Sequence, residues 1–336
     1  ATHGIAAPDT SDGFFPLDDG KDGLEEMLVA ERYKVLERLG AGGMGVVYLA
    51  EHVVIEKKVA LKVLLREYSN KPVQKERFLR EAKAAAKINH PNVVDITDFG
   101  ETPDGSAFFA MEFLEGEDLH RVIRRQGAFP WERARPILLQ ICNALESAHA
   151  KGIIHRDLKP ENIKLVSRGE KEDFVKLLDF GIAKITDLGD EGRRLTKTGM
   201  IFGTPEYMSP EQASGERSDH RADVYALGVI MFEMLTGKLP FSGDNFMAIL
   251  TQHLHVEPVS PRELNPRISP EAEAIVLKAL AKKRDARFQS MEQMAAAVAA
   301  IEAEPTRAAA GGVRILEPLI DPESIRATTE EELPDP

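Results

Sequence analysis

From Tyr33 to about Phe113 the apolar residues come in short runs rich in β-branched and aromatic side chains. Tyr33–Leu39, Val46–Ala50, Val59–Leu65, Val93–Phe99 and Ala107–Phe113 each read as a strand. One long segment interrupts them: Val73–Ile88 sets Phe78, Leu79, Ala82, Ala85 and Ala86 along one side of a helix. Beyond Asp118 helical spacing dominates, over Trp131–Ala150, Ala222–Leu235, Asn245–His253, Pro270–Ala281 and Met291–Glu302. A strand-rich part with one main helix, followed by a helical part, predicts an α+β fold of two lobes. They cover about 33–113 and 116–302, with a cleft between them and the break near Leu114-Glu115-Gly116.

The ends differ from this middle. Residues 1–25 are rich in Gly, Asp and Pro, and 304–336 is a Pro- and acid-punctuated stretch ending TTEEELPDP. Neither buries enough apolar surface to offset the entropy of ordering, so a mobile arm and an acidic tail are expected to flank one folded domain, 26–303. Lys and Arg number 43 against 55 Asp and Glu, a net charge of −12, which argues against a nucleic-acid partner. Cys142 is the only cysteine, so no disulfide forms within the chain, and its neighbours Leu138, Leu139, Ile141 and Leu145 suit a packed thiol. The most apolar stretch, Ala226–Leu235, is cut by Glu233, and the first thirty residues carry seven acids, so neither a membrane span nor a secretory leader is expected.

Chemistry enters with Gly40-Ala41-Gly42-Gly43-Met44-Gly45-Val46-Val47, a G-x-G-x-x-G-x-V run. Glycines let backbone N–H groups approach phosphates closely. A dinucleotide-binding turn shares the spacing but needs a helix directly after it. Here Val46-Val47-Tyr48-Leu49 is a strand, so the element is a hairpin. The next strand, Val59-Ala60-Leu61-Lys62-Val63, sets Lys62 among apolar residues. Lys62 is either a surface lysine laying its stem along the strand or a phosphate clamp. Glu81, nineteen residues on and on the lone helix, favours the clamp.

After a long helix come His155-Arg156-Asp157-Leu158-Lys159-Pro160-Glu161-Asn162 and then Asp179-Phe180-Gly181. Singly, an Asp in a turn is usually a cap or a surface acid. As an ordered set, Asp157, Asn162 and Asp179 offer the oxygen ligands that hard cations such as Mg²⁺ accept beside substrate phosphates. With the glycine loop and Lys62, this chain resembles the eukaryotic-like (Hanks-type) Ser/Thr protein kinases, bacterial members most of all. Those motifs together make up the signature set of that family. The likeness runs from Tyr33 to about Glu302. It includes Gly203-Thr204-Pro205-Glu206-Tyr207-Met208-Ser209-Pro210-Glu211, where Ser209 replaces the usual alanine, and Asp223-Val224-Tyr225-Ala226-Leu227-Gly228.

The resemblance implies a bilobal protein kinase-like fold with ATP in the cleft and Mg²⁺ or Mn²⁺ beside it. Leu39 and Gly40 to Val47 would cover the phosphates, with Val47 and Ala60 as the pocket roof. Lys62, oriented by Glu81, would neutralise the phosphates, Asp179 and Asn162 would hold metal, Asp157 would be the catalytic base, and Lys159 would steady the transferring group. Glu112 and Leu114 would meet adenine through their backbones, with Met111 behind and Asp118 near the ribose. Lys164 departs from the pattern, standing where an apolar floor residue is usual. Glu211 would pair with Arg287, and Asp223 would brace the catalytic loop.

Arg156 beside Asp157, with Arg77 and Lys184, would await a phosphothreonine, for which Thr196 and Thr198 are the candidates; Thr204 reads as a structural hydroxyl. Protein substrates bearing Ser or Thr are implied, and self-association for phosphorylation in trans is compatible with them. The implied place is the cytoplasm, for the chain alone or as the cytoplasmic part of a longer membrane-anchored one. Two rivals stay open: an ATP-binding pseudokinase scaffold and a small-molecule phosphotransferase.

Overall fold

A computed structural model describes residues 24, 27–42, 44–169, 171–180 and 204–301. The chain divides into two units, Ala1–Glu302 and Ala303–Pro336, and every described residue belongs to the first.

The smaller lobe is one antiparallel sheet. Its strands are β1 (Leu28–Val29), β2 (Tyr33–Gly42), β3 (Gly45–His52), β4 (Lys57–Leu64), β5 (Ile96–Glu101) and β6 (Ala107–Glu112), in spatial order β1-β2-β3-β4-β6-β5. Two helices, α1 (Arg66–Ser69) and α2 (Pro72–Ile88), lie between β4 and β5 in the chain. The sheet curls until its edges meet: Tyr33 donates to Asp98 of β5 at 2.9 Å, and Arg32 pairs with the same carboxylate at 3.0 Å. Helix α2 buries Phe78, Ala82 and Ala85, as its spacing predicts, and Phe78 packs on Phe109 of β6 with ring centres 4.9 Å apart.

The larger lobe adds β7 (Gly116–Asp118), α3 (Leu119–Gln126), α4 (Trp131–His149), β8 (Ile163–Arg168) and β9 (Lys171–Leu177). It continues through α5 (Pro210–Ala213), α6 (Arg221–Thr236), α7 (Phe246–His255), α8 (Pro261–Leu264), α9 (Pro270–Ala279) and α10 (Met291–Ala300). Helix α6 is buried on every side from Ala222 to Leu235, which explains why its sequence is apolar all round. It is the axis of the core. A Cβ on Gly228 would lie 2.7 Å from that of Ala279, so glycine lets α6 and α9 close together. No helix among the described residues is long and apolar enough to cross a membrane.

Two elements differ from the sequence expectation. The strand expected over Val93–Phe99 begins only at Ile96. Val93 instead makes a single parallel bridge to Leu177, and the Asn92 side chain donates to the Val175 carbonyl at 2.8 Å. The segment after α2 is thereby bonded to the larger lobe. That lobe, where helical spacing dominates, also holds a three-stranded sheet, β7-β8-β9, for which no strands were expected.

Candidate active site

The cleft is organised around one lysine. Lys62 sits in β4 opposite Val47 of β3 and Phe109 of β6. Its Nζ lies 3.0 Å from Glu81 Oε1 on α2 and 2.7 Å from Asp179 Oδ1 in the larger lobe. Burial works against its charge, but the Asp179 and Glu81 carboxylates more than offset this and hold the ammonium above its ordinary range. For the two acids the balance differs. Burial wins at Glu81, raised despite Lys62; at Asp179 burial is outweighed by Lys62 and the carboxyl sits below its usual range. The ammonium is therefore charged and fixed between the lobes.

Above it, β2 and β3 form the predicted hairpin, with Gly42 paired to Gly45. A Cβ on Gly45 would stand 2.7 Å from the Val63 carbonyl oxygen, so only glycine lets the loop rest this close to β4. Gly43 lies outside the described residues.

The acids of the larger lobe are held by backbone bonds. Asn162, buried in a turn over Pro160–Asn162, donates its amide N–H to the Asp157 carbonyl at 2.8 Å, and its own carbonyl accepts from Leu178 N at 2.9 Å. Asp157, Asn162 and the residue before Asp179 are thus tied together. Within these loops Arg156, at φ 62°, and Asp179, at φ 44°, adopt left-handed backbone. Asp223 holds the first: its carboxylate accepts from Arg156 N and His155 N at 2.8 Å each, and from His149 Nε2 at 2.7 Å. Burial opposes the Asp223 charge, yet the His149 bond and the others keep its carboxyl below the usual range. Gln212 Nε2 donates to the Arg156 carbonyl at 2.9 Å, so both backbone groups of Arg156 are satisfied in the strained conformation. Lys159 Nζ donates to Thr204 Oγ1 at 3.0 Å, linking the loop to the segment before α5.

At the other end of the cleft, Met111 lies opposite Ala60 in the sheet, and Glu112 to Leu114 lead into the larger lobe. Asp118 caps α3, accepting from Arg121 N at 2.8 Å, and faces Lys164 across the β7–β8 ladder. Lys164 is half-buried, and burial lowers its pKa against the pull of Asp118. Leu39 is 44% exposed. Thr196, Thr198, Gly181 and Lys184 lie outside the described residues.

Below the site, Arg287 and Glu211 form a buried two-point ion pair at 2.9 and 2.8 Å. Arg287 also donates to the carbonyls of Ala281, Arg221 and Lys282, which satisfies all its N–H groups. Sequence reasoning missed Gln212, His149 and Lys151. The Lys151 ammonium, from the turn after α4, donates to the Lys87 carbonyl at 2.7 Å and to that of Ile88, closing the C-terminus of the helix that carries Glu81. Only Gln212 left a local trace, in the capping box Ser209-Pro210-Glu211-Gln212.

The donor chemistry fits a hard cation. Asp179 offers carboxylate oxygen, and Asn162, with its amide N–H spent on Asp157, keeps its amide oxygen. Among the described residues no three His, Cys, Asp or Glu are grouped to hold a metal ion.

A protein-kinase-domain family model matches residues 33–298. The chain is 46% identical over 281 residues to the serine/threonine-protein kinase pkn3 of Myxococcus xanthus, covering 83% of this chain and 51% of that one. To the serine/threonine-protein kinase PknB of Mycolicibacterium smegmatis it is 42% identical over 271 residues, covering 80% and 42%. The chain therefore spans about half the length of these curated relatives, or less. Among solved structures it resembles the kinase domain of Mycobacterium tuberculosis PknI, with a TM-score of 0.63, 28% identity, and coverage of 82% of this chain and 98% of that one. The lysine shared by two lobes, the braced catalytic loop and the family match over 33–298 agree, and the chain belongs to the protein kinase family.

Proposed function

We propose that this protein transfers the γ-phosphate of ATP to Ser and Thr hydroxyls of other proteins. The observation that carries this reading is the Lys62 ammonium, joined to Glu81 of one lobe and Asp179 of the other. With ATP bound, Lys62 would balance the α- and β-phosphates, and backbone N–H groups of the loop around Gly42 and Gly45 would cover the β and γ groups. Asp179 and Asn162 would hold Mg²⁺ or Mn²⁺, which supplies Lewis-acid neutralisation of phosphate oxygens. Asp157 takes the proton of the incoming hydroxyl as its oxygen bonds the γ-phosphorus and the bond to the β-bridging oxygen breaks. Lys159, steadied by Thr204, stabilises the charge on the moving group. The adenine would rest against the Glu112 carbonyl and Leu114 N–H, under Val47 and Ala60, with Lys164 below.

Regulation by autophosphorylation on Thr196 and Thr198 belongs to the same proposal. Its support is Arg156, whose buried Nε has no hydrogen-bond partner among the described residues and whose guanidinium pKa is lowered by burial. A phosphothreonine would supply the missing anion. Phosphorylation in trans would bring two copies together, in the cytoplasm or on the cytoplasmic side of a membrane-anchored chain.

One assay tests the reading against a pseudokinase and a small-molecule phosphotransferase. ATP labelled at the γ-phosphate is offered with a mixed protein substrate, with the parent chain, Asp157→Asn and the double variant Thr196→Ala/Thr198→Ala. Label on Ser and Thr with the parent, lost in Asp157→Asn and clearly reduced in the double variant, is expected. No protein label from the parent refutes the activity, and full labelling by the double variant refutes its regulation.

A further inference from the structure

Against the linker that joins the lobes a cavity of about 520 Å³ opens. Lys57 and Lys58 at the start of β4, Phe113 of the linker, Val166 and Arg168 of β8 and Phe174 of β9 line it. Its floor is apolar: Val166 is buried, and Phe113 and Phe174 are half-buried. Its rim is cationic. Lys57, Lys58 and Arg168 are exposed, and among the described residues none of them has a carboxylate within ion-pair distance. The Arg168 guanidinium lies over the Phe174 ring, 5.1 Å from its centre, so its plane is already set. The cavity has two acids. Glu112 is committed to Lys176 Nζ at 2.5 Å and to Asp95 N at 2.8 Å, which leaves Glu115 alone against three cations.

This is a local excess of positive charge on a chain of net charge −12. It also combines aromatic side chains and a stacked arginine, the residue types that dominate binding energy at protein interfaces. We propose that the cavity docks a short acidic segment of a protein partner. An aliphatic or aromatic side chain of that segment would fill the floor, and flanking Asp or Glu carboxylates would meet Lys57, Lys58 and the fork of Arg168. A bare polyanion has no side chain for the apolar floor of Val166, Phe113 and Phe174, which favours the peptide segment. The cavity shares the linker Glu112 to Leu114 with the adenine site proposed above. On that reading, docking and nucleotide binding alter each other's affinity by the same factor.

The test is fluorescence anisotropy with the full chain and no nucleotide. The probe is a labelled peptide in which Leu-Phe is flanked on both sides by Asp and Glu. Saturable binding is expected, weakened by salt and by about tenfold or more in the Lys57→Glu/Lys58→Glu/Arg168→Glu variant. Replacing Leu-Phe by Ser-Ser should also weaken binding, and Lys in place of the acids should abolish it. Should the triple variant melt early, Arg168→Gln carries the same test with a smaller loss, about threefold. Equal affinity of parent and variants, or of acid- and Lys-flanked peptides, overturns the proposal. So does tighter binding of a single-stranded oligonucleotide, or self-association of the chain through this surface with no peptide bound. Because no nucleotide is present, a chain that binds the peptide yet transfers no phosphate refutes the kinase activity alone.

Discussion

Lys62 is shared by carboxylates from both lobes, so its substitution separates catalysis from folding. Lys62→Met removes the charge but keeps an unbranched apolar stem in the strand, and Asp179→Asn keeps the shape while removing the charge proposed to hold metal. Each should lower phosphate transfer by about 10²-fold or more with the melting temperature little changed. Near-parent turnover in both would refute the site. Lys164 calls for the opposite reasoning. Its ammonium is half-buried with a lowered pKa, opposite Asp118, on the proposed floor under adenine. Lys164→Leu removes a poorly solvated charge and widens the apolar floor, so the dissociation constant for ATP should fall or stay nearly unchanged. If calorimetry instead finds ATP binding abolished, Lys164 makes a polar contact that this account lacks. Lys62, Glu81, Asp157, Asn162 and Asp179 stand out in the sequence because their types and spacing are unusual together. His149 and Gln212 do not. Each acts on a group far away in the chain, Asp223 and the Arg156 carbonyl, and no local pattern records such a bond.

At the scale of elements, the Glu211–Arg287 pair fastens α5 to the turn after α9. Arg287 is 2% exposed and Glu211 3%, so neither charge is solvated without its partner. Arg287→Met should strand the Glu211 carboxylate and cost about 3–5 kcal/mol in urea unfolding. The double variant Glu211→Leu/Arg287→Met should recover part of it, since two apolar groups leave no buried charge. A loss below about 1 kcal/mol for the single change would mean that Glu211 finds water. The periodic helices α2 and α4 and the continuously apolar α6 were legible in the sequence. The β7–β8–β9 sheet was not. Each strand carries charged residues at one end, as in Gly116-Glu117-Asp118, Val166-Ser167-Arg168 and Lys171-Glu172-Asp173, so the alternation is too brief to read. The late start of β5 was equally hidden, because it depends on Asn92 reaching Val175 in the other lobe.

For the whole molecule, buried histidines set how stability responds to acid. His253 of α7 is fully buried against Phe241 and Tyr225, with its Nδ1 2.8 Å from the Tyr225 hydroxyl. Burial, reinforced by Lys282, lowers its pKa to about 4. An unfolded histidine titrates near 6.5. Between those values the unfolded chain binds more protons than the folded one, so acid favours unfolding. Stability from His253 is complete above about pH 6.5 and lost as the pH falls towards 4, an effect of about 3 kcal/mol. His155, also fully buried with a lowered pKa, acts in the same direction. Asp219, lowered to about 2 chiefly by its hydrogen bond from Arg221, contributes stability above its unfolded pKa near 4 that disappears only in stronger acid. The two effects therefore occupy separate windows. In the alkaline range Tyr33, raised to about 12 by burial and Asp98, loses its contribution as the pH rises past about 10. Melting temperature should thus decline as the pH falls from about 6.5 towards 4. His253→Gln keeps a polar side chain that does not titrate, so its melting temperature should fall less steeply over that interval, whatever its value at neutral pH. A parent chain with a flat profile between pH 7 and 4.5, or a variant that keeps the parent's full slope, would show that His253 protonates within the fold at no cost.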